Sequence, residues 1–194
     1  MGNREDLLAG ARRCLVEKGY AGTTARDVAA AAGTSLAAIG YHFRTTRALL
    51  DEALAEAMKE WGEELERTLD LDGDLTGAER FEAAWSRIID SFDRLRPLWA
   101  VQFELIGSMD RSPELRTAFA AANHQAWLGL AAIFHGLDPE TDQARALRLG
   151  AFYQALLGGL AAQSLVDPAA VPSAPELTAA LRAAATEVGA GAGE

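Results

Sequence analysis

Cysteine is almost absent from this chain of 194 residues: Cys14 stands alone, so no internal disulfide can form and no cysteine-based metal site can be built. Its simplest role is that of a small buried apolar side chain. Long apolar runs are missing too. None approaches the roughly 18 to 20 residues that cross a bilayer, and the opening Met1-Gly2-Asn3-Arg4-Glu5-Asp6 lacks the apolar centre of a signal peptide. The expectation is a cytoplasmic protein with no membrane partner. Positive charge is scarce: 18 Lys and Arg against 28 Asp and Glu leave a net charge of −10, which on average opposes a phosphate-rich partner. Histidine is limited to His42, His124 and His135, and these show neither Glu-x-x-His nor His-Glu-x-x-His spacing. A Gly-x-Ser-x-Gly elbow, a Gly-rich phosphate loop before Lys and a Cys/His nucleophile pair are also lacking. No catalytic residue, cofactor or metal is expected, and the chain does not read as an enzyme. Strand signals are nearly absent, since no stretch of six or more residues alternates apolar and polar with β-branched enrichment.

What is present is helical. Ala, Leu, Glu and Arg dominate, and 49% hydrophobic with 24% charged residues matches an ordinary folded chain, which excludes disorder. The charge is also uneven. Residues 1–50 hold 7 basic and 4 acidic side chains, or +3, which leaves −13 for the rest. A segment able to approach a polyanion is thus joined to a larger one that is not. A first helix capped by Asn3 carries Leu7, Leu8, Ala11, Cys14 and Leu15 on one face and stops at Gly19. Thr24 with Asp27 three residues on predicts a capping box, and Gly33 ends the short helix that follows. Thr34 or Ser35 caps another short helix to Phe43, with Ile39 and Phe43 facing inward. Thr45 or Thr46 caps a longer one to about Leu69, and Asp70-Leu71-Asp72-Gly73-Asp74, which lacks calcium-loop spacing, reads as a solvated linker. Further helices are expected from Thr76 to about Leu95, Pro97 to about Ser108, Pro113 to His135, Thr141 to about Val166 and Ala174 to Val188. Asp110-Arg111-Ser112-Pro113 is a turn, and the Gly189–Glu194 tail should fray.

Two short helices joined by a glycine turn and packed on a third form a helix-turn-helix, whose second short helix can enter a major groove about 12 Å wide. Ser35, Leu36, Ala37, Ala38 and Gly40 are small enough for close approach; the Ser hydroxyl can bond a base edge, and Leu36 and Ala37 can touch thymine methyls. Tyr41, His42 and Thr46 can hydrogen-bond phosphates, although Arg4, Arg12, Arg13 and Lys18 can equally form an ordinary solvated face. The run from Thr23 to Phe43, followed by Ala48-Leu49-Leu50, resembles the N-terminal signature of the tetracycline-repressor (TetR) family. That resemblance implies an all-α fold: a three-helix helix-turn-helix DNA-binding domain over residues 1–46 and a six-helix ligand-binding and dimerisation domain over 47–194. It makes Thr24 and Arg26 backbone-contact candidates, Thr34, Ser35, Leu36 and Ala37 candidates at or beside the bases, and Tyr41 and His42 phosphate-facing candidates. Where members often carry a lysine before the fourth helix this chain has Thr46, with Arg44 and Arg47 as substitutes, and Gly40 replaces a frequent aromatic.

All four tryptophans lie beyond residue 60. Aromatics at helical spacing usually form core, but together with interspersed polar groups they can enclose an apolar cavity. Candidate pocket residues are Trp61, Trp85, Trp99, Gln102, Phe103, Asn123, His124, Trp127 and Phe152. The resemblance implies a cavity between the fourth through eighth helices. Gly158 and Gly159, flanked by Ala155 and Ala162, permit close backbone approach and with Leu177 and Leu181 suggest a two-fold interface, unless the same stripes pack intramolecularly. The expectation is a homodimeric, effector-released regulator, a repressor, on palindromic double-stranded operator DNA. The alternative is an all-α small-molecule carrier with a non-functional helix-turn-helix.

Overall fold

A computed structural model describes residues 3–70, 77–108, 113–138 and 141–191. The expected linker beyond Asp70, the turn at 109–112, Pro139, and the ends at Met1-Gly2 and 192–194 lie outside them. Eight α-helices follow in order: α1 (Asn3–Gly22), α2 (Ala25–Ala32), α3 (Leu36–Phe43), α4 (Thr46–Asp70), α5 (Gly77–Ser108), α6 (Pro113–His135), α7 (Gln143–Val166) and α8 (Ala174–Gly191), with one 3-10 turn at Pro168–Ala170. The fold is all-α, and no strand occurs among the described residues. Several boundaries differ from expectation: α1 includes Asn3, expected as its cap, and continues past Gly19 to Gly22, and α8 runs on to Gly191, into the tail expected to fray. Pro97 lies inside α5 instead of opening a new helix, so five long helices, not six, follow α3. Proline forfeits its own bond to the carbonyl four residues back, but Leu95, Trp99, Val101 and Leu105 are all buried around it. Burial on both sides of the proline outweighs the local preference.

The chain packs as two units, Met1–Glu63 with Arg94–Asn123 and Glu64–Asp93 with His124–Glu194, so that α4, α5 and α6 each supply residues to both. In the first unit, Leu7, Leu15 and Cys14 of α1, Val28 of α2, Ile39 and Phe43 of α3, Leu49 and Leu54 of α4 and Val101 and Leu105 of α5 share one core. Fully burying a leucine contributes about 1.5–3 kcal/mol. Gly10 permits the approach of α1 to α2, since a Cβ there would lie 2.9 Å from the Ala32 nitrogen.

The second unit is centred on aromatic rings. Trp85 is fully buried with its centroid 5.4 Å from Phe134, which in turn stacks on Tyr153 at 4.3 Å and 20°. The Tyr153 hydroxyl lies 2.9 Å from His135 Nε2. Burial, helped by nearby Arg145, holds the His135 imidazole below its ordinary pKa, and burial alone raises the Tyr153 phenol. α7 meets α6 without any side chain between them at Gly150, where a Cβ would fall 1.9 Å from the Trp127 carbonyl oxygen. By length and composition α7 is also apolar enough to cross a membrane, as the core helix of a folded domain can be. Its apolar residues are interrupted by polar ones, so no single uninterrupted apolar run marks it in the sequence.

Candidate nucleic-acid interface

The approach to the two short helices is fixed by Gly19, whose φ of 71° falls in the left-handed region and interrupts α1. Two backbone N–H groups beyond the break, those of Tyr20 and Ala21, donate to the Glu104 carboxylate of α5 at 3.3 and 2.9 Å. The buried Thr23 hydroxyl donates to the Gly19 carbonyl at 2.7 Å. Thr24 then caps α2 as its sequence foretold: its hydroxyl oxygen accepts from the Asp27 N–H, while the Asp27 carboxylate accepts from the Thr24 N–H at 2.9 Å. Lys18 closes on the same carboxylate at 2.5 Å. Hydrogen bonds from Lys18 and then Thr24 hold Asp27 well below the usual carboxylate range.

α2 ends at Gly33, again left-handed with φ 64°, and the chain re-enters helix at once. The Ser35 hydroxyl oxygen accepts the Ala38 N–H at 3.3 Å and caps α3. Thr34, half-buried, has its hydroxyl oxygen buried with no hydrogen-bond partner among the described residues. Eight residues make α3 two-faced. Ile39 and Phe43 point into the core at 3% and 6% exposure, whereas Leu36 and Tyr41 stand out at 49% and 84%, with Ala37 and Gly40 also exposed. The half-buried His42 braces the Tyr41 ring edge-on at 4.8 Å. Arg44 ends α3 with a φ of 65°, a strained backbone for a side-chain-bearing residue. Thr45, not Thr46, caps α4, accepting the Ala48 N–H at 3.0 Å, and Thr46 is half-buried.

The positive charge of residues 1–50 is mostly engaged by the chain's own groups, several of them on α4 beyond residue 50. Arg4 pairs with Glu52 and lies over the Phe43 ring, and Arg12 bridges Glu56 at 3.0 Å and Glu60 at 2.5 Å. Arg13 donates to the Ala31 carbonyl. Arg47 acts electrostatically on Asp51 and Tyr20, whose hydroxyl donates to the Asp51 carboxylate at 2.6 Å. Burial raises both the Asp51 carboxyl and the Tyr20 phenol. Arg26 and Arg44 are exposed, with no ion pair among the described residues. The exposed candidates for DNA contact are thus Thr24, Arg26, Ser35, Leu36, Ala37, Tyr41, Arg44 and Arg47, with Thr34, His42 and Thr46 half-buried beside them. Glu104 had no sequence signal, because its partners lie more than 80 residues away.

The pocket candidates divide between the units. In the first, Trp61 meets Trp99 edge-on at 5.8 Å and Trp99 meets Phe103 at 6.5 Å, with the Gln102 amide oxygen buried and unpartnered among the described residues; Asn123 is half-buried. In the second, Trp85 belongs to the aromatic core, exposed His124 stands 5.0 Å from half-buried Trp127, and Phe152 is 51% exposed. Of the interface candidates, Ala155 and Gly159 are exposed, Gly158, Ala162 and Leu181 half-buried, and Leu177 is buried in its own unit.

Residues 7–53 match the family model described as bacterial regulatory proteins, tetR family. The HTH-type transcriptional repressor AcnR of Corynebacterium efficiens is 29% identical over 119 residues, covering 48% of this chain. The match spans 63% of that repressor, less than two thirds of its length. A transcriptional regulator from Rhodococcus sp. Rha1 superposes with a TM-score of 0.63 at 25% identity, covering 92% of this chain and 94% of that one. The multidrug binding protein EbrR, solved in complex with imidazole, gives a TM-score of 0.57 at 25% identity, covering 92% of this chain and 88% of its own.

Proposed function

We propose, from the match of residues 7–53 to the tetR-family model, that this chain is a homodimeric repressor that binds palindromic operator DNA and is released by a small molecule. The observation that carries this reading is the two-faced α3, anchored by Ile39 and Phe43 and offering Leu36, Ala37, Gly40 and Tyr41 to solvent. A side-chain set so free of obligations to its own fold fits a helix meant for a groove. The AcnR relative is itself a repressor by name, which favours repression over activation.

Dimerisation draws support from α7. Its exposed positions Arg145, Arg148, Phe152, Ala155, Gly159, Gln163 and Val166 recur at intervals of three and four, and the stretch from Phe152 carries no charge. Such a face in water invites a partner. A Cβ at Gly158 or Gly159 would meet nothing within 4 Å, so the chain's own packing does not require glycine at either position. Two copies joined by a two-fold axis would present two α3 helices to half-sites about one turn, ~34 Å, apart.

For the effector, EbrR offers a precedent of a similar chain holding a small heterocycle. Trp61, Trp99, Phe103 and the unpartnered Gln102 oxygen are the group best suited to hold an apolar molecule with a hydrogen-bond donor. The same stretch of α5 enters the reader core through Val101 and Leu105 and holds the α1 break through Glu104. An effector that favours a displaced α5 would therefore shift the population toward a conformation that reads DNA poorly. The test is selection from randomised duplex DNA at near-physiological salt. Enrichment of a palindrome is expected; a folded protein that retains no sequence preferentially would instead be the carrier.

A further inference from the structure

Sequence readout in a major groove has a short chemical vocabulary. Guanine is read by Arg or Lys, adenine by the amides of Asn or Gln, cytosine by carboxylates, and thymine by apolar contact with its methyl group. α3 holds Leu36, Ala37, Ala38, Ile39, Gly40, Tyr41, His42 and Phe43, and thus no guanidinium, ammonium, amide or carboxylate. Ile39 and Phe43 are turned into the core, and His42 is half-buried against Tyr41. Ser35 already accepts the Ala38 N–H; the proton and lone pair left on its hydroxyl can bond a base edge but do not by themselves choose the base. The exposed face at the N-terminal end of α3 is therefore Leu36, with Ala37 beside it, followed one turn on by Gly40, where a Cβ would meet nothing within 4 Å. The N-terminal residues of a reading helix are those that reach base edges.

From this we infer that α3 selects its half-sites by methyl groups: Leu36 and Ala37 pack on the C5-methyl of thymine, and a pyrimidine bearing that methyl is what the chain recognises at those positions. Gly40 leaves the backbone free to come close enough for the contact. The inference rests on the DNA-reading function proposed above and names its substrate chemistry. 5-Methylcytosine presents the same methyl group at the same place in the groove, so it belongs to the same class of target.

The experiment uses the full chain and two randomised duplex libraries of one design, one containing thymine and the other uracil, which pairs identically but lacks the methyl. The thymine library should yield a palindrome. In the enriched duplex, uracil at one position per half-site should lower affinity about fourfold per methyl lost, or ~15-fold over both half-sites. At that position 5-methylcytosine should bind more tightly than cytosine. Leu36→Ala, at an exposed site, should abolish most of the thymine/uracil difference, a ratio measured within one protein and so insensitive to loss of stability. A palindrome that tolerates uracil everywhere within twofold overturns methyl readout while leaving the DNA-reading function intact. Full discrimination retained in Leu36→Ala overturns the assignment to α3. No enrichment in the thymine library removes the function and this inference with it.

Discussion

Replacing Gly150 by alanine separates two opposing effects that ordinarily accompany a glycine in a helix. On propensity alone, Gly150→Ala in the interior of α7 should stabilise the helix by about 1 kcal/mol. The structure predicts the opposite sign. The new Cβ would lie 1.9 Å from the Trp127 carbonyl oxygen, 2.4 Å from its carbon and 2.5 Å from its Cα, all backbone atoms of α6 that no rotamer change can move aside. Restoring even 3.0 Å requires α6 and α7 to separate by ~1 Å, which would also disturb the Phe134–Tyr153 stack at 4.3 Å. Overpacking usually costs about 1–3 kcal/mol, and a backbone-on-backbone conflict belongs at the upper end or above. Net of the propensity gain, a loss of about 2 kcal/mol is expected, or roughly 4–8 °C in Tm for a chain of this size. Urea and thermal unfolding followed by circular dichroism, at fixed protein concentration, give both numbers. A variant as stable as the parent would show that α6 and α7 do not approach as described.

Gly158→Ala and Gly159→Ala provide the contrast, because neither new methyl would meet anything within 4 Å in the chain itself. Each should stabilise α7 by about 1 kcal/mol where the chain is monomeric, yet weaken self-association at sedimentation equilibrium if this face is the dimer seam. The capping box predicts a pH dependence. Asp27 has its carboxyl held down by Lys18 and Thr24, so its contribution is present above the unfolded-state carboxylate value near pH 4 and is lost as pH falls below it. Asp27→Asn should lower stability at pH 7 and flatten the acid limb of the stability profile. An unchanged acid limb would mean that the pair is not formed in solution.

Local devices were the legible part of the sequence. The cap at Thr24, the left-handed Gly33 and the two-faced pattern of Leu36 to Phe43 depend on residues within four positions of one another, and each stands where the spacing placed it. Pro97 shows where that logic stops: its local preference for a helix start is overridden by buried neighbours on either side, which only packing reveals. The cations of α1 show the same limit. As a string of residues they count toward a positive segment, but the partners of Arg4 and Arg12, namely Glu52, Glu56 and Glu60, lie 44 to 48 positions downstream. The glycines divide likewise, since Gly150 meets a neighbouring backbone and Gly159 meets nothing, a distinction invisible in composition. The division of the aromatic side chains between two packing units was equally out of reach, because it depends on where α5 and α6 pass from one to the other.

Arg4 and Arg12 turn toward the carboxylates of α4, and this shapes how such a reader would travel. Residence on DNA of arbitrary sequence rests on phosphate charge, and a reader of net charge −10 with these cations engaged internally would hold such DNA only briefly. Its search would proceed by many short visits from solution, with little one-dimensional sliding. Arrest at a target then depends on the fit of a small apolar surface to base edges, so that stopping, far more than arriving, is where selection occurs.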